Sequence, residues 1–223
     1  MHTLGIWAGN RGAHVFSWRE RCFELALAVG VPLLALGAAA GGSLLAAYGP
    51  DGWPSELVGG GIVLIACAGA FFSGVFYDNV LAFFSGVPLL LACLGVAGMV
   101  DEAALRSRGE ATTCTVTEVD VRVETSTYTD SDGMTHTTTT TYYDHALDCD
   151  AAAGPRAMTR TERLADAGKR IDLTYDPHGR VKPQLTGEVS EGNHSNEWMF
   201  GLGLAITLVI RVPVGLTEGS DWW

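Results

Sequence analysis

The stretch ATTCTVTEVDVRVE (111–124), continued through TSTYTDSDGM (125–134) into THTTTTTYYDHALDC (135–149), decides how this chain is read. Thr113, Thr115, Thr117, Val119, Val121 and Val123 share one parity, and the other parity is mostly polar or charged. Period-2 alternation of this kind predicts a half-buried strand. Asp130-Ser131-Asp132-Gly133 is a turn signal, and Thr135 to Cys149 is rich in Thr and Tyr, which predicts a second long strand. Together they predict one long hairpin.

Its register follows from the turn. A three-residue loop at 131–133 sets Val121 opposite Tyr143 and Val119 opposite His145, and carries Cys149 opposite Thr115. One extra residue in the first strand near Thr117-Glu118, a β-bulge, brings Val116 opposite Leu147 and Cys114 opposite Cys149. The sequence therefore predicts that bulge, and a Cys114–Cys149 disulfide if the compartment is oxidising. The alternative is two free thiols packed side by side.

Further along, 156–161 and 181–185 read as short extended pieces, with Pro183 confining the latter to an edge. Between them Arg170 to Tyr175 alternates again and ends at Asp176-Pro177. Four or five strands without a helical pattern predict a small antiparallel barrel or sandwich-like sheet. Thr137, Thr139, Thr141, Tyr142 and Tyr143 form a candidate β edge for pairing with another chain, against the plainer reading of a solvated hydroxyl-rich strand.

This β region lies within a polar island, 101–197, whose flanks are of a different kind. No charge occurs in the 26 residues between Glu24 and Asp51, nor in 57–77 or 79–100. Runs of this length can cross about 30 Å of hydrocarbon. A signal peptide competes for the first run, with Ala38, Ala39 and Ala40 as small residues for a peptidase, but the run exceeds a signal h-region. Asp78 between the second and third runs predicts a tight antiparallel hairpin. AFFSGV recurs at 70–75 and 82–87, which puts Ser73 and Gly74 at the depth of Ser85 and Gly86. Small residues at that notch let helices approach closely, and a polar notch holding water or an ion is the competing reading. Gly37 and Gly41 form a GxxxG read as packing, and Pro88 is expected to kink the third helix near its start.

The fourth apolar run, from Trp198, is interrupted by Arg211, which is expected near the end of a short span with its side chain snorkelling to the headgroups. Trp53 and Trp198 would mark one interface, and Trp222 and Trp223 the other. Placing the N-terminus in the cytoplasm puts Arg11, Arg19, Arg21 and Arg211 inside, against Arg106 and Arg108 outside, and sends the β domain out of the cell.

The expected architecture is an α-helical membrane protein plus a small all-β domain, with about four transmembrane helices and an antiparallel β domain between the third and fourth. The expected boundaries are a cytoplasmic segment at 1–24, helices at 25–48, 57–77 and 80–100, the β domain at 101–195, the fourth helix at 196–217 and a tail at 218–223. Charged residues make up 17% of the chain against about 25% in soluble domains, in keeping with lipid-facing helices. Twelve of 14 basic residues are Arg and Gly and Ala abound, a composition that leans bacterial.

A net charge of −11 argues against nucleic acid as a partner. No CxxC, Gly-x-Ser-x-Gly, Walker loop or His-Glu-x-x-His occurs, so no catalytic, cofactor or metal site is expected. His136 and His145 differ in parity and are expected as exposed strand histidines. Asp130-Ser131-Asp132-Gly133 lacks the distal ligands of a calcium loop.

Gly109 after a span, a hairpin turning at Gly133, and the run from Gly168 to Tyr175-Asp176-Pro177 before another span resemble a bacterial membrane family. It is the one catalogued as domain of unknown function 3592, and the resemblance covers roughly 95–215. It implies a membrane-tethered β domain with no assigned catalysis. The long Thr run, the two cysteines and the three leading spans depart from that pattern. The expectation is an integral membrane protein, not an enzyme, with lipid around its helices and a β domain that binds a protein or envelope component, or a second copy. The competing expectation is an accessory subunit of a transporter or channel, with function in the helices.

Overall fold

The computed structural model describes residues 18–50, 53–73, 83–191 and 194–218. Gly74, Asp78, Trp222, Trp223 and the segment before Trp18 lie outside them. Element order is α1 (Trp18–Tyr48), α2 (Ser55–Phe72), α3 (Gly86–Arg108), β1 (Glu110–Thr129), β2 (Thr135–Cys149), β3 (Ala157–Arg160), β4 (Arg170–Tyr175), β5 (Gln184–Leu185), α4 (Thr186–Glu191) and α5 (His194–Glu218).

Among the described residues, four helices, α1, α2, α3 and α5, are long and apolar enough to cross a membrane. They pack as a bundle around Leu36, Ala39, Ala66, Cys67, Ala70, Leu89, Ala92 and Cys93. Small residues dominate that core, so the backbones run close together. The closest approach of α1 to α2 does not use the Gly37/Gly41 pair, since a Cβ at either would meet nothing within 4 Å. It uses Gly42 and Gly59, where a Cβ on Gly59 would lie 2.4 Å from the Gly42 carbonyl oxygen. Pro88 is the third residue of α3. A first-turn N–H has no intrahelical acceptor to lose, so the expected kink has no cause there.

The third helix runs on past Val100 to Arg108, so the β region begins at Glu110 rather than at 101. Asp101–Arg108 stays helical because one side of it is still covered. Ala104 and Leu105 pack with Ala47, Val181 and Val189 where the bundle meets the β region.

The strands form one five-stranded antiparallel sheet in the order β3-β2-β1-β4-β5 instead of a closed barrel or a sandwich. Its core is Cys114, Val116, Leu147, Met158 and Leu173. The β1–β2 register pairs Val116 with Leu147, Val119 with His145 and Val121 with Tyr143. It shifts between Val116 and Glu118, which leaves Thr117 as the extra residue of a bulge. Val121 and Val123 are each 57% exposed, so burial on that face stops near Val119. The reason is coverage: β4 pairs β1 only over Glu110–Thr115, and β3 pairs β2 only over Tyr143–Ala146.

Candidate functional site

Beyond those supports the hairpin continues as a two-stranded arm. Eight successive pairs, from Arg122–Tyr142 to Thr129–Thr135, lead out to the turn. At about 3.4 Å per residue the arm is roughly 30 Å long. Its tip is closed by Asp130, whose N–H donates to the Met134 carbonyl at 2.9 Å. Asp130 Oδ1 accepts from the N–H groups of Asp132 (3.1 Å) and Met134 (2.8 Å), and Gly133 supplies the positive φ of the turn. These are turn contacts, with no cation needed. The hydrogen bond from His136, followed by the Met134 N–H, holds the Asp130 carboxyl below its ordinary range. His136 also stacks on Tyr128 with ring centroids 5.0 Å apart.

The two edges of the arm differ. On β1, Asp120, Arg122 and Glu124 carry charge, with Arg122 paired to Glu124 and its Nε 3.7 Å from Asp144. Charged side chains of this kind discourage strand addition. On β2, the run Thr135–Tyr142 holds no formal charge, no proline and no glycine. Among the described residues no strand pairs with its outer side.

Which β2 groups face outward is settled by one bond. Leu147 N–H donates across the outer side to the Arg156 carbonyl at 2.9 Å. Backbone direction alternates along a strand, so Thr135, Thr137, Thr139 and Thr141 also turn their N–H and C=O outward. The structure thus brings Thr137, Thr139 and Thr141 onto one backbone edge. Tyr142 turns its backbone inward and lies under the Arg122 guanidinium at 5.0 Å, and Tyr143 is already paired with Arg160.

At the base of the arm, Cys114 faces Cys149 and their sulfurs are bonded at 1.98 Å. Close by, His145 is not an exposed strand histidine but fully buried. Its Nδ1 lies 3.3 Å from the Met158 carbonyl, and its Nε2 accepts the Leu164 N–H at 3.3 Å. An Nε2 that accepts leaves Nδ1 to donate to the Met158 carbonyl, which fixes the ring between β3 and the 161–166 loop. Its pairing with Val119 on the apolar parity was the available signal.

A second constellation lies in the helix bundle. Arg211 is fully buried and does not snorkel. Its Nε donates to Ser85 Oγ at 2.8 Å and its Nη2 to Ser73 Oγ at 2.6 Å. Ser73 in turn donates to the Ala70 carbonyl, and the Thr207 hydroxyl donates to the Gly203 carbonyl at 2.7 Å. The notch is thus a polar clamp as well as a packing surface. Gly86 supplies the packing, since a Cβ there would lie 2.3 Å from the Phe71 carbonyl oxygen. The guanidinium fork suits two hydroxyls on separate helices, which is why Arg serves here.

The third constellation joins bundle to sheet. Asp176 has a fully buried side chain. It accepts from Arg108 Nη2 at 2.7 Å and from the N–H groups of His178 (3.1 Å) and Arg180 (3.1 Å). Burial alone would raise its carboxyl, but those N–H groups and the Arg108 charge outweigh it and hold the group below the usual carboxylate range. Arg108 also sits over the Tyr48 ring at 4.8 Å, and Arg180 donates to the Gly49 carbonyl. Tyr175 donates to Glu110 at 3.0 Å, while Pro177 begins the turn. The Tyr-Asp-Pro string is therefore a fastening between the sheet and the ends of α1 and α3.

No group of three or more metal-binding side chains occurs among the described residues. No family model, no curated protein and no solved structure matches this chain.

Proposed function

We propose that this chain is an integral membrane protein, with four spans, that displays a disulfide-stapled β domain and captures a partner polypeptide by strand addition to the Thr135–Tyr142 edge. The observation that carries this reading is the outward-turned backbone of Thr135, Thr137, Thr139 and Thr141 on an uncharged, uncovered edge. Main-chain bonds supply affinity in that mode of recognition. Catalysis has no part in the proposal. The Cys114–Cys149 disulfide supports an extracytoplasmic β domain, because such bonds persist in oxidising compartments. The basic residues Arg11, Arg19 and Arg21 before the first span support a cytoplasmic N-terminus. Arg211, turned into the bundle, no longer counts toward that bias.

Two proline substitutions test the edge. Thr139→Pro removes an outward N–H and leaves every β1–β2 bond in place, whereas Thr138→Pro removes an inward one. A photo-crosslinking residue at Thr137 in intact cells should yield adducts that Thr139→Pro abolishes without lowering thermal stability. Adducts unchanged by Thr139→Pro would contradict strand addition.

The second reading, an accessory transporter or channel subunit with function in the helices, is favoured by one observation, the buried Arg211 between Ser73 and Ser85. Intramembrane charges mark pathways as well as structural ties. Loss of cellular function in Ser73→Ala or Ser85→Ala with folding intact would support it.

A further inference from the structure

The reading of Thr135–Tyr142 as a strand-addition edge leaves its partner open, and we infer that the partner is the same edge of a second copy of this chain. This inference rests on that reading. The chain carries a net charge of −11, so most of its surfaces repel their own copies. The β2 edge has no formal charge, with His136 and Tyr142 its titratable side chains, and so opposes nothing to a copy of itself.

Its sequence also reads the same way from either direction. Five consecutive threonines, 137–141, follow His136 and Thr135. An antiparallel two-fold arrangement centred on Thr138 sets Thr138 opposite itself, Thr137 opposite Thr139, His136 opposite Thr140 and Thr135 opposite Thr141. Every facing pair but the one with His136 is Thr–Thr, a favourable cross-strand combination.

The hydrogen-bond parity agrees with the same centre. The outward residues are Thr135, Thr137, Thr139 and Thr141, and in this register each meets another outward residue and exchanges both bonds with it. A centre between two residues would set outward groups against inward ones. Pairing ends where the copy would reach Tyr143, which β3 already occupies. The free length and the symmetric length therefore coincide. The contact is isologous, as closed two-fold dimers require. It joins the two-stranded arms of the two copies edge to edge through β2.

Single-cysteine crosslinking tests the register directly in native membranes. In the inferred pairing, Thr138 meets its copy at a non-hydrogen-bonded position with Cα atoms about 4.5 Å apart, within disulfide reach. Thr137 meets Thr139, which leaves its own copy on a diagonal about 7–8 Å away. Thr138→Cys under mild oxidation should give covalent dimer severalfold above wild type and above Thr137→Cys, and adding Thr139→Pro should abolish it. No dimer above wild type with Thr138→Cys, or equal dimer from both positions, overturns the inference. If self-pairing fails while Thr139→Pro still removes adducts of another mass, a foreign strand occupies the edge. If Thr139→Pro alters neither dimer nor adduct, the strand-addition reading itself falls.

Discussion

Arg211 and Ser73 stand 138 residues apart in the chain, yet a guanidinium nitrogen of the first donates to the hydroxyl of the second at 2.6 Å. With Ser85 on the neighbouring helix, this ties the last helix to the far end of the α2–α3 pair. Arg211 lies seventeen residues beyond His194 on α5, roughly 25 Å from the sheet end at 1.5 Å per residue.

Ser73→Ala and Ser85→Ala each remove a hydrogen bond to a buried charge, and each should cost about 1.5–3 kcal/mol. Their double variant should cost less than the sum, because both act on one guanidinium. Arg211→Lys should be about as damaging as either single change, since a point-like ammonium does not reproduce the fixed spacing of Nε and Nη2 that serves the two hydroxyls. Thermal unfolding in detergent checks all four; a Lys variant as stable as wild type would remove the clamp from the account.

The bulge can be removed without moving the disulfide. Deleting Thr117 takes out the unpaired residue, so that Val116–Leu147 follows directly on Glu118–Ala146 and Cys114 stays opposite Cys149. Both cysteines should then stay unreactive to maleimide until reduced, and thiols that react beforehand would contradict this register. Replacing both cysteines by alanine should instead lower stability by about 3–4 kcal/mol, the loop-closure value for cysteines 35 residues apart.

Acid should loosen the fastening at Asp176. Its carboxyl in the folded chain is held below the unfolded value of about 3.9. The stabilisation is therefore complete above that value and is lost as pH falls through the lower folded value. Asp176→Asn should cost about 3 kcal/mol at neutral pH by leaving Arg108 without its counter-charge. It should also flatten the stability curve between pH 5 and 3, read by tryptophan fluorescence in detergent, and an unchanged curve would count against this assignment.

The hairpin was legible because its information is local. Strand parity, a turn with Gly at a fixed offset, and two cysteines one residue out of line specify both register and bulge. The extent of burial was not, since Val121 and Val123 owe their exposure to the short reach of β3 and β4. Arg211 was misread for a related reason. Snorkelling is the cheapest solvation for a lone Arg near a span's end, and Ser73 and Ser85 become its partners only through the packing of three helices. His145 shares its parity with buried Leu147, but the Leu164 N–H that completes its environment comes from a loop without pattern. Asp176 stands out in the sequence only as part of a string, whereas its counter-charge, Arg108, is a basic flank 68 residues away.

Both the disulfide and capture of a partner outside the cell require the β domain on the oxidising side of a bilayer. The most direct measurement is labelling in intact cells with a membrane-impermeant thiol reagent, before and after mild reduction. Cys114 and Cys149 should be unreactive at first and labelled after reduction without lysis. Labelling that appears only once the cells are broken would place the β domain in the cytoplasm and contradict this topology.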